Sequence, residues 1–564
     1  MVAVLPGSAA KSFRGSPPGQ RASDPERDTL DTQTIFRRRW IILSVLIVGL
    51  LAIVIDNTVL NVALKTIAEP RGGLGASQSQ LEWAINSYTL VFAGLLFTFG
   101  VIGDRVGRKR MLMIGLALFG VASLLSAYSR SPEQLILARA AMGLGGAAVM
   151  PQTLSIISNV FEPAERPRAI GLWAMAVGIG VATGPVLGGV LLDHFWWGSV
   201  FLINVPVTVL GAIAAAILVP ESRNSEAGRI DYLGVLLSVV GLVLLVYGIV
   251  QGGDTASWLR LDVLGPIAGG LAVLAIFAWY ETRIQHPSLD VRLFRDRRLS
   301  ASVGAIALAF FGMGGVIFFT SFYLQNVRGY TPLAAGLLTV PFAVGQLLAS
   351  PRSAGLVRRY GAKAPTTVGM FVMAAVVATY ATLGTASPIW VLGLMFALQG
   401  AAIGVVMPAA TAAVMDVLPR ERAGAGSALT NTSRQVAFAL SVAVLGSILA
   451  EFYRNALNPT LAGLPATARS AASSSITATQ AVAQQLGSAG RSLLGPANDA
   501  FVHAMHITTL VAALLVLVGG FVVLRWMPGK PRPAAEIAAA SEESYEHELA
   551  IMEENVLNTA SREG

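Results

Sequence analysis

Long apolar segments separated by short polar stretches run through most of the chain. The first segment extends from Trp40 to Leu64 and contains one charged residue, Asp56. Because a helix needs roughly 20 apolar residues to cross the hydrocarbon core of a bilayer, this pattern predicts membrane-spanning helices. We predict fourteen spans, near residues 40–64, 82–102, 111–129, 133–158, 168–191, 199–219, 231–251, 263–280, 299–323, 333–351, 366–385, 389–415, 424–450 and 505–527.

The composition agrees with a polytopic membrane protein and disfavours an enzyme. Of the 564 residues, 54% are hydrophobic and 13% are charged, whereas soluble domains carry about 25% charged residues. The chain has no cysteine and five scattered histidines, so it offers neither a disulfide framework nor a thiolate metal site. Since no nucleophile–base set, phosphate loop or metal cluster is recognisable, we expect no catalysis, no cofactor and no bound metal.

The distribution of basic residues indicates the orientation of the chain. Loops such as GDRVGRKR, from Gly103, and RDRRLS, from Arg295, fall on one side of the predicted membrane and carry most of the Lys and Arg. Basic loops face the cytosol in membrane proteins. With an even number of spans, both termini are therefore expected in the cytosol. The net charge of +8 then reflects topology, and nucleic acid is not an expected partner.

A sequence repeat indicates two related halves. GLGGAAVMP at Gly143–Pro151 matches GAAIGVVMP at Gly400–Pro408 in its Gly and VMP positions. Such a repeat predicts two homologous helix bundles. Parallel repeats of this kind place the substrate site between the halves in one large class of transporters.

We therefore predict an all-α membrane protein of two six-helix bundles with two helices inserted between them. The predicted units are an N-terminal bundle at 39–220, the inserted pair at 221–282 and a C-terminal bundle at 283–527. The polar parts are expected to be a disordered cytosolic tail at 1–38, an external loop at 452–504 within the second bundle and a cytosolic C-terminal tail at 528–564.

Two opposite charges are predicted at similar depth inside the membrane. Counting along the helices places Asp56 about 12 Å and Arg139 about 9 Å from the outer ends of their spans. Intramembrane charges usually face the bundle interior, where they pair or serve transport. A static structural ion pair is the alternative. Glu82, at the mouth of the second span, is expected to be interfacial.

Two glycine-containing motifs stand out from ordinary loops and spans. GVIGDRVGRKR begins at Gly100 in a cytosolic loop, and its order is more specific than that of a merely basic loop. GIGVATGPVLGG begins at Gly178 inside the fifth span. No strand precedes it, which disfavours a dinucleotide site. Its small residues predict close packing of a neighbouring helix in the outer half of the membrane.

Polar and aromatic residues inside the spans are candidates for the wall of a central cavity. In the thirteenth span, TNTSRQ places polar side chains near mid-membrane. Aromatic residues of the ninth span could form an apolar binding wall, or could simply pack or face lipid. The candidates are Glu82, Trp83, Asn86, Trp173, Phe318, Phe319, Phe322, Asn431, Arg434 and Gln435.

Several motifs in order resemble one family across nearly all of residues 40–527. DNTVLNVAL from Asp56, the GVIGDRVGRKR loop, RAAMGLGGAAVMP from Arg139 and GIGVATGPVLGG are similar to signatures of the major facilitator superfamily. More narrowly, they resemble its fourteen-span drug:proton antiporters of the QacA/EmrB type. This resemblance implies the major facilitator fold.

The resemblance also implies residue roles. Asp56 and Arg139 would take part in proton coupling. The cytosolic gating loop would comprise Gly100, Asp104, Gly107 and Arg108. The antiporter motif would comprise Gly180, Gly184, Pro185, Gly188 and Gly189. Departures include Lys65 and Met142, where the family pattern has Pro and Gln.

The implied function is proton-coupled antiport that exports amphipathic or lipophilic small molecules from a bacterium, as in multidrug efflux and antibiotic resistance. The expected location is the plasma (inner) membrane, and the expected partners are lipophilic or cationic substrates, protons and lipids, with the protein acting as a monomer. Spans nine to twelve contain no acidic residue, so multivalent organic cations are not expected to be favoured. An exporter of a lipid, a siderophore or a self-made antibiotic is the alternative, and a non-transporting receptor or scaffold is a remote one.

Overall fold

The computed structural model describes residues 25–162, 165–223, 231–255, 257–284, 291–418 and 423–527. The predicted C-terminal tail, 528–564, lies outside these residues, as does the predicted N-terminal tail up to residue 24.

The described residues form α-helices joined by short connections. The helices up to the middle of the chain are α1 (Pro25–Ala68), α2 (Gln78–Val106), α3 (Arg108–Ala127), α4 (Pro132–Val160), α5 (Arg166–His194), α6 (Ser199–Leu202), α7 (Asn204–Leu218), α8 (Tyr232–Thr255) and α9 (Leu261–Glu281). They are followed by α10 (Arg297–Phe322), α11 (Pro332–Leu338), α12 (Val340–Tyr360), α13 (Lys363–Thr379), α14 (Ile389–Val417), α15 (Ala423–Leu457), α16 (Ala466–Ser473), α17 (Ile476–Gln485) and α18 (Arg491–Trp526). Short 3₁₀ turns lie at Val291–Arg295 and Tyr380–Thr382, and a π-turn at Tyr323–Val327 extends α10.

The helices agree with the predicted number of membrane spans. In the part of the chain that the structure describes, thirteen helical stretches are long and apolar enough to cross a membrane, with α6 and α7 forming one and α11 and α12 another. The fourteenth is α2, which passes the same test as a pair bent by 53° between Gln78–Leu96 and Thr98–Val106. In chain order these fourteen stretches correspond to the fourteen predicted segments.

Polar caps and prolines set several helix starts. Ser77 and Gln80 form a reciprocal capping box at the start of α2. Ser131 caps α4 and is followed by a proline at the first turn, and Asp296 caps α10. These side chains accept hydrogen bonds from backbone N–H groups that have no partner within the helix. An unpaired N–H group is costly near a membrane, where little water is present to accept from it.

The packing of α1–α7 repeats in α10–α18. In the first set α2 packs on α4, α1 packs on α5 and α7, and α3 packs on α4 and α7. In the second set α12 packs on α14, α10 packs on α15 and α18, and α13 packs on α14 and α18. The repeated GLGGAAVMP motif lies at equivalent contacts, because Gly143 packs on the α2 backbone and Gly400 on the α12 backbone.

The helices α8 and α9 pack on each other, and α8 also contacts α2 and α15. Ser447 Oγ in α15 donates a hydrogen bond to the Ile249 carbonyl in α8 at 2.9 Å. Trp258 Nε1, between α8 and α9, donates to Glu451 at 2.8 Å. This helix pair is therefore attached to the second set through α15.

The two sets meet closely at the end of the molecule where α1 ends, which we call the far face. The opposite end, where α1 enters the bundle, is the terminal face. Gln325 Nε2 donates to the Val62 carbonyl at 2.9 Å, and Lys65 Nζ donates to the Gln325 carbonyl at 3.2 Å. Ser321 donates to the Asn61 carbonyl beside them. These bonds hold the far face closed.

Three peripheral expectations are corrected. The disorder predicted for residues 1–38 is wrong for 25–38, which belong to α1. The predicted external loop at 452–504 contains α16 and α17, and Asn326 donates to Thr477 at 3.1 Å to attach α17 to the π-turn. The helix that contains the last span, α18, starts at Arg491, well before residue 505. A helix can continue beyond the lipid boundary, where hydropathy no longer marks its limits.

Candidate functional site

A buried ion pair joins α1 and α4 inside the first bundle. Arg139 Nη1 donates to Asp56 Oδ2, and both residues have 1% or less of their surface exposed. Asn204 Nδ2, at the start of α7, donates to Asp56 Oδ1 at 3.0 Å. Both carboxylate oxygens therefore have a hydrogen-bond donor, which a charge in a low-dielectric interior requires.

Arg139 is held by contacts on several sides. Its Nε donates to the Ala84 carbonyl in α2 at 3.1 Å. Its guanidinium lies 4.4 Å from the centre of the Tyr88 ring, a cation–π geometry. Met142, which stands where the family pattern has Gln, contacts the guanidinium through its sulfur at 3.8 Å. The arginine is thus fixed in position as well as paired.

Asn204 and Tyr88 also belong to this site, although neither was among the residues predicted for it. Asn204 also donates to Ser123 Oγ at 3.1 Å, and Ser123 donates to the Phe201 carbonyl at 2.8 Å. Tyr88 accepts a hydrogen bond from Asn57 at 3.0 Å. A signal was present, because a lone Asn in an apolar segment seldom lacks a buried partner.

A cavity of about 220 Å³ lies beside the ion pair and between the two sets of helices. Residues of α1, α2, α4 and α5 line one side, and residues of α10, α12, α14 and α15 line the other. The wall is mainly apolar, with Phe310, Phe342 and Phe438 among its residues. A smaller cavity of about 80 Å³ continues toward the far face and is lined in part by Pro185.

Some of the predicted cavity residues lie in these walls and others do not. Arg434 and Gln435 line the main cavity, and Arg139 reaches it as well. Asn431 lies one turn earlier on α15, outside both cavities. Phe318, Phe319 and Phe322 are buried in the hydrophobic core instead. Since α10 is apolar on every face, its sequence could not indicate which aromatic residues face the cavity.

The remaining candidates occupy helix interfaces outside both cavities. Trp83 packs against Tyr247 of α8, with ring centres 6.3 Å apart. Asn86 is fully buried, and its amide atoms have no partner among the described residues. Trp173 donates to Thr153 at 3.0 Å and so joins α5 to α4.

Glu82 is buried and not exposed at the mouth of α2, with 2% of its surface accessible. Gln78 donates to it at 3.4 Å. Its carboxylate lies against Gly446 of α15, where an added Cβ would come 2.6 Å from Cδ. The side chain is thus covered by α15, and its interfacial depth in the membrane stays a prediction.

The predicted gating loop forms a compact connection at the terminal face. Asp104 and Arg108 form an ion pair at 2.7 Å. Gly107 has φ 125°, ψ 126°, a conformation that favours glycine. It lies against the Glu221 carboxylate. That carboxylate accepts a hydrogen bond from the Lys109 backbone N–H at 3.2 Å. Gly100 packs on Pro151 of α4. The loop therefore links α2, α3 and α4 to the segment after α7.

The glycine stripe of α5 packs against α1. Gly180 lies against Val54, Gly184 against Thr58 and Gly188 against Val59.

The same stripe also contacts α11 of the second set. Gly189 lies against the backbone of Leu333, where an added Cβ would come 2.8 Å from Leu333 N. Pro185 contributes its carbonyl to the contact with Gly336 of α11. The motif thus packs one bundle internally and also closes it against the other.

The arrangement can link proton occupancy to conformation. An ionised Asp56 holds Arg139, whereas a protonated Asp56 would remove the charge that balances it. Asn57, the next residue, lines the cavity. A ligand bound in the cavity can therefore contact the residue adjacent to the Asp56 carboxylate. Movement of α1 relative to α4 would therefore change both the ion pair and the cavity.

Comparison with known proteins places this geometry in a family. A family model for the Major Facilitator Superfamily matches residues 45–442. The chain is 35% identical to the multidrug efflux pump LfrA of Mycolicibacterium smegmatis, over 86% of this chain and 96% of that protein. It is 32% identical to the methyl viologen resistance protein SmvA of Salmonella typhimurium, over 86% and 97%.

A relative from an antibiotic producer and a solved structure extend the comparison. The tetracenomycin C resistance and export protein of Streptomyces glaucescens is 32% identical, over 73% of this chain and 76% of that protein. A bacterial homologue of the human lysosomal transporter Spinster, in an inward-facing and unoccupied conformation, aligns with a TM-score of 0.61 at 18% identity. That alignment covers 87% of this chain and 98% of the other, and it supports the fold.

Proposed function

Because the chain belongs to the Major Facilitator Superfamily, we propose that it is a proton-coupled antiporter that exports amphipathic or lipophilic small molecules. The observation that carries the proposal is the buried Asp56–Arg139 pair beside a cavity built by both bundles. Relatives named for drug efflux and resistance support it. The protein is a multi-pass transporter rather than an enzyme, and we place it as a monomer in a bacterial plasma membrane.

In the proposed cycle, Asp56 takes a proton from outside and releases it inside as the bundles rock. Protonation frees Arg139 from its counter-charge, so the contacts between α1, α4 and α7 change with proton occupancy. Substrate enters the main cavity from the cytosolic side when Asp56 is ionised. The proton gradient then drives the outward movement of substrate, and no cofactor is needed.

The two motifs serve the two ends of the cycle. The loop with Asp104 and Arg108 governs closure at the terminal face, where it joins α2, α3 and α4. The α5 stripe governs closure at the far face, where Gly189 meets α11. Both motifs depend on close backbone approach, which only small residues permit.

We assign the terminal face to the cytosol because its loops carry most of the basic residues. The far face, with α16 and α17, is then external. With the far-face hydrogen bonds formed, the molecule is closed to the outside. This is the state in which a cytosolic substrate would be collected.

The experiment is substrate-driven proton movement in proteoliposomes that hold a pH gradient. Purified protein is reconstituted with an internal pH-sensitive dye, and a panel of lipophilic dyes, drugs and lipids is added. Antiport predicts proton movement opposite to the substrate flux, abolished by a protonophore and absent from protein-free liposomes.

The outcomes separate the proposal from its alternative. A response to dyes or drugs supports multidrug export, and a response to lipids alone supports a lipid exporter on the same fold. If substrates cross the membrane at the same rate with and without the pH gradient, proton coupling is wrong.

A further inference from the structure

The charged side chains in the wall of the main cavity are all basic. Two arginines, Arg139 and Arg434, lie in its wall, and no Asp or Glu is among its lining residues in the described part of the chain. Asp56 lies behind Arg139, with which it pairs, and Glu82 is buried against α15; 0% and 2% of their surfaces are accessible. Since Asp56 balances the charge of Arg139, the positive charge that a ligand meets without a compensating carboxylate is that of Arg434.

The two arginines differ in what holds them. Arg139 is paired with Asp56 and hydrogen-bonded to the Ala84 carbonyl. Arg434, on α15, has its guanidinium 5.4 Å from the centre of the Phe310 ring. Among the described residues, no hydrogen bond or ion pair reaches the Arg434 guanidinium. Its donors are thus available to whatever occupies the cavity.

Polar side chains near Arg434 supply neutral hydrogen-bonding groups. Gln435, the next residue, and Gln346 of α12 both line the same cavity. Amides can donate to an anion or accept from a neutral group. Around them the wall is aromatic and aliphatic, with Met313 and Phe438 as examples. The site therefore combines one unpaired charged group, Arg434, with a large apolar surface.

We propose that the cavity selects amphipathic organic anions, and that Arg434 receives the anionic group while the apolar body packs on the aromatic wall. A carboxylate or sulfonate matches the planar fork of guanidinium donors. An unpaired charge away from bulk water is costly, and an anionic ligand removes that cost. A cationic ligand would increase it. This inference rests on the proposed export function and names its substrate class.

The test uses three probes with the same ring system and different charge. They are 9-anthracenecarboxylate, 9-anthracenemethylammonium and neutral 9-anthracenemethanol, at neutral pH. Binding to the purified full-length protein in a non-ionic detergent is followed by anthracene fluorescence, with empty micelles subtracted. Because binding needs no proton gradient, this result is independent of the transport assay that tests antiport.

Three variants identify the residue responsible. In the native protein the carboxylate should bind about tenfold more tightly than the ammonium probe. Arg434→Gln should remove that preference, and Arg434→Lys should keep part of it. Arg525→Gln, which removes a charge at the end of α18 outside the cavity, is the matched control and should bind as the native protein does. Size-exclusion profiles establish that each variant is folded.

Three outcomes would overturn the inference. They are equal or tighter binding of the ammonium probe by native protein, unchanged carboxylate preference in folded Arg434→Gln, and binding of none of the probes. In each case antiport could still be demonstrated with other substrates. Conversely, selective binding of the carboxylate with no coupled proton movement would leave the anion site in place and remove the antiport proposal.

Discussion

The carboxylate of Asp56 in α1 accepts hydrogen bonds from two other helices, with Arg139 of α4 on one oxygen and Asn204 of α7 on the other. Such a cluster fixes the relative positions of α1, α4 and α7. It also places a group that can exchange a proton next to a residue of the cavity wall. A structural role and the proposed role in proton coupling therefore fall on one side chain, and the two must be measured separately.

The structural role predicts strong coupling between the two charges. Arg139→Gln should lower the free energy of unfolding by about 3–5 kcal/mol, because it leaves a buried carboxylate without its counter-charge. The double variant Asp56→Asn/Arg139→Gln should regain most of that loss, since neither charge remains. Thermal unfolding in detergent measures both. Additive losses in the double variant would show that the pair is not coupled.

Part of this site could be predicted from sequence. Counting residues from the span ends placed Asp56 and Arg139 at similar depth, and the structure brings them into contact. Asn204 could not be placed, because a single polar residue in an apolar segment does not reveal which helix it faces. The same limit applies to Phe318 and Phe319, which belong to a helix that is apolar on all sides.

Helix α5 packs closely against the backbone of a helix in the other set. Gly189 faces the Leu333 backbone, which cannot move aside as a side-chain end could, whereas nothing lies within 4 Å of a Cβ added at Gly178. The two glycines share a helix and differ in their surroundings. They therefore provide a matched pair of substitutions.

Gly189→Ala should slow transport and weaken closure of the far face, because the new methyl group collides with α11. Gly178→Ala should leave transport unchanged and gain up to about 1 kcal/mol of helix stability. Efflux rates per folded molecule measure the first effect and thermal unfolding the second. Equal efflux by both variants would remove the closing role assigned to the α5 stripe.

The loop between α2 and α3, at the terminal face, also requires a glycine, Gly107. Gly107→Ala should cost about 1–3 kcal/mol, because its backbone conformation suits glycine alone, and the new methyl group would meet the Glu221 carboxylate. Gly171→Ala, at a position with nothing within 4 Å, is the control. A loss of stability no greater than that of the control would show that this loop tolerates other conformations.

Helix existence was easier to predict than helix limits. Fourteen spans follow from hydropathy because lipid requires long apolar helices. The polar helices α16 and α17, the early start of α18 and the helical residues 25–38 leave no hydropathy signal. The bend in α2 was also missed, since neither proline nor a charge marks it.

The described part of the molecule comprises two sets of helices with the same internal packing, in contact at the far face, and the helix pair α8–α9 attached to them. The repeat at Gly143 and Gly400 indicated this relation from sequence, and the paired helix contacts extend it along both sets. The contacts that join the sets could not be predicted. These contacts depend on which conformation the molecule adopts. The same sequence must fit every conformation of a transport cycle, so it does not indicate the contacts of any one of them.

Sidedness can be measured because the chain contains no cysteine. In the absence of substrate, Gln346→Cys in the cavity wall should react with an impermeant maleimide in inside-out vesicles and not in intact cells. Gly463→Cys, in the exposed connection before α16, should show the opposite. Labelling of Gly463→Cys from the cytosol would overturn the orientation, and labelling of Gln346→Cys from outside would overturn far-face closure.

The central claim is that Asp56 carries the proton that drives export, and one variant tests it most directly. In proteoliposomes, Asp56→Asn should still exchange labelled substrate across the membrane by counterflow, because the cavity is intact. It should show no substrate-driven proton movement. Asp262→Asn, at an exposed carboxylate paired with Arg260, should behave as the native protein in both assays. Proton movement that persists in folded Asp56→Asn would contradict the account and leave Asp56 a structural charge.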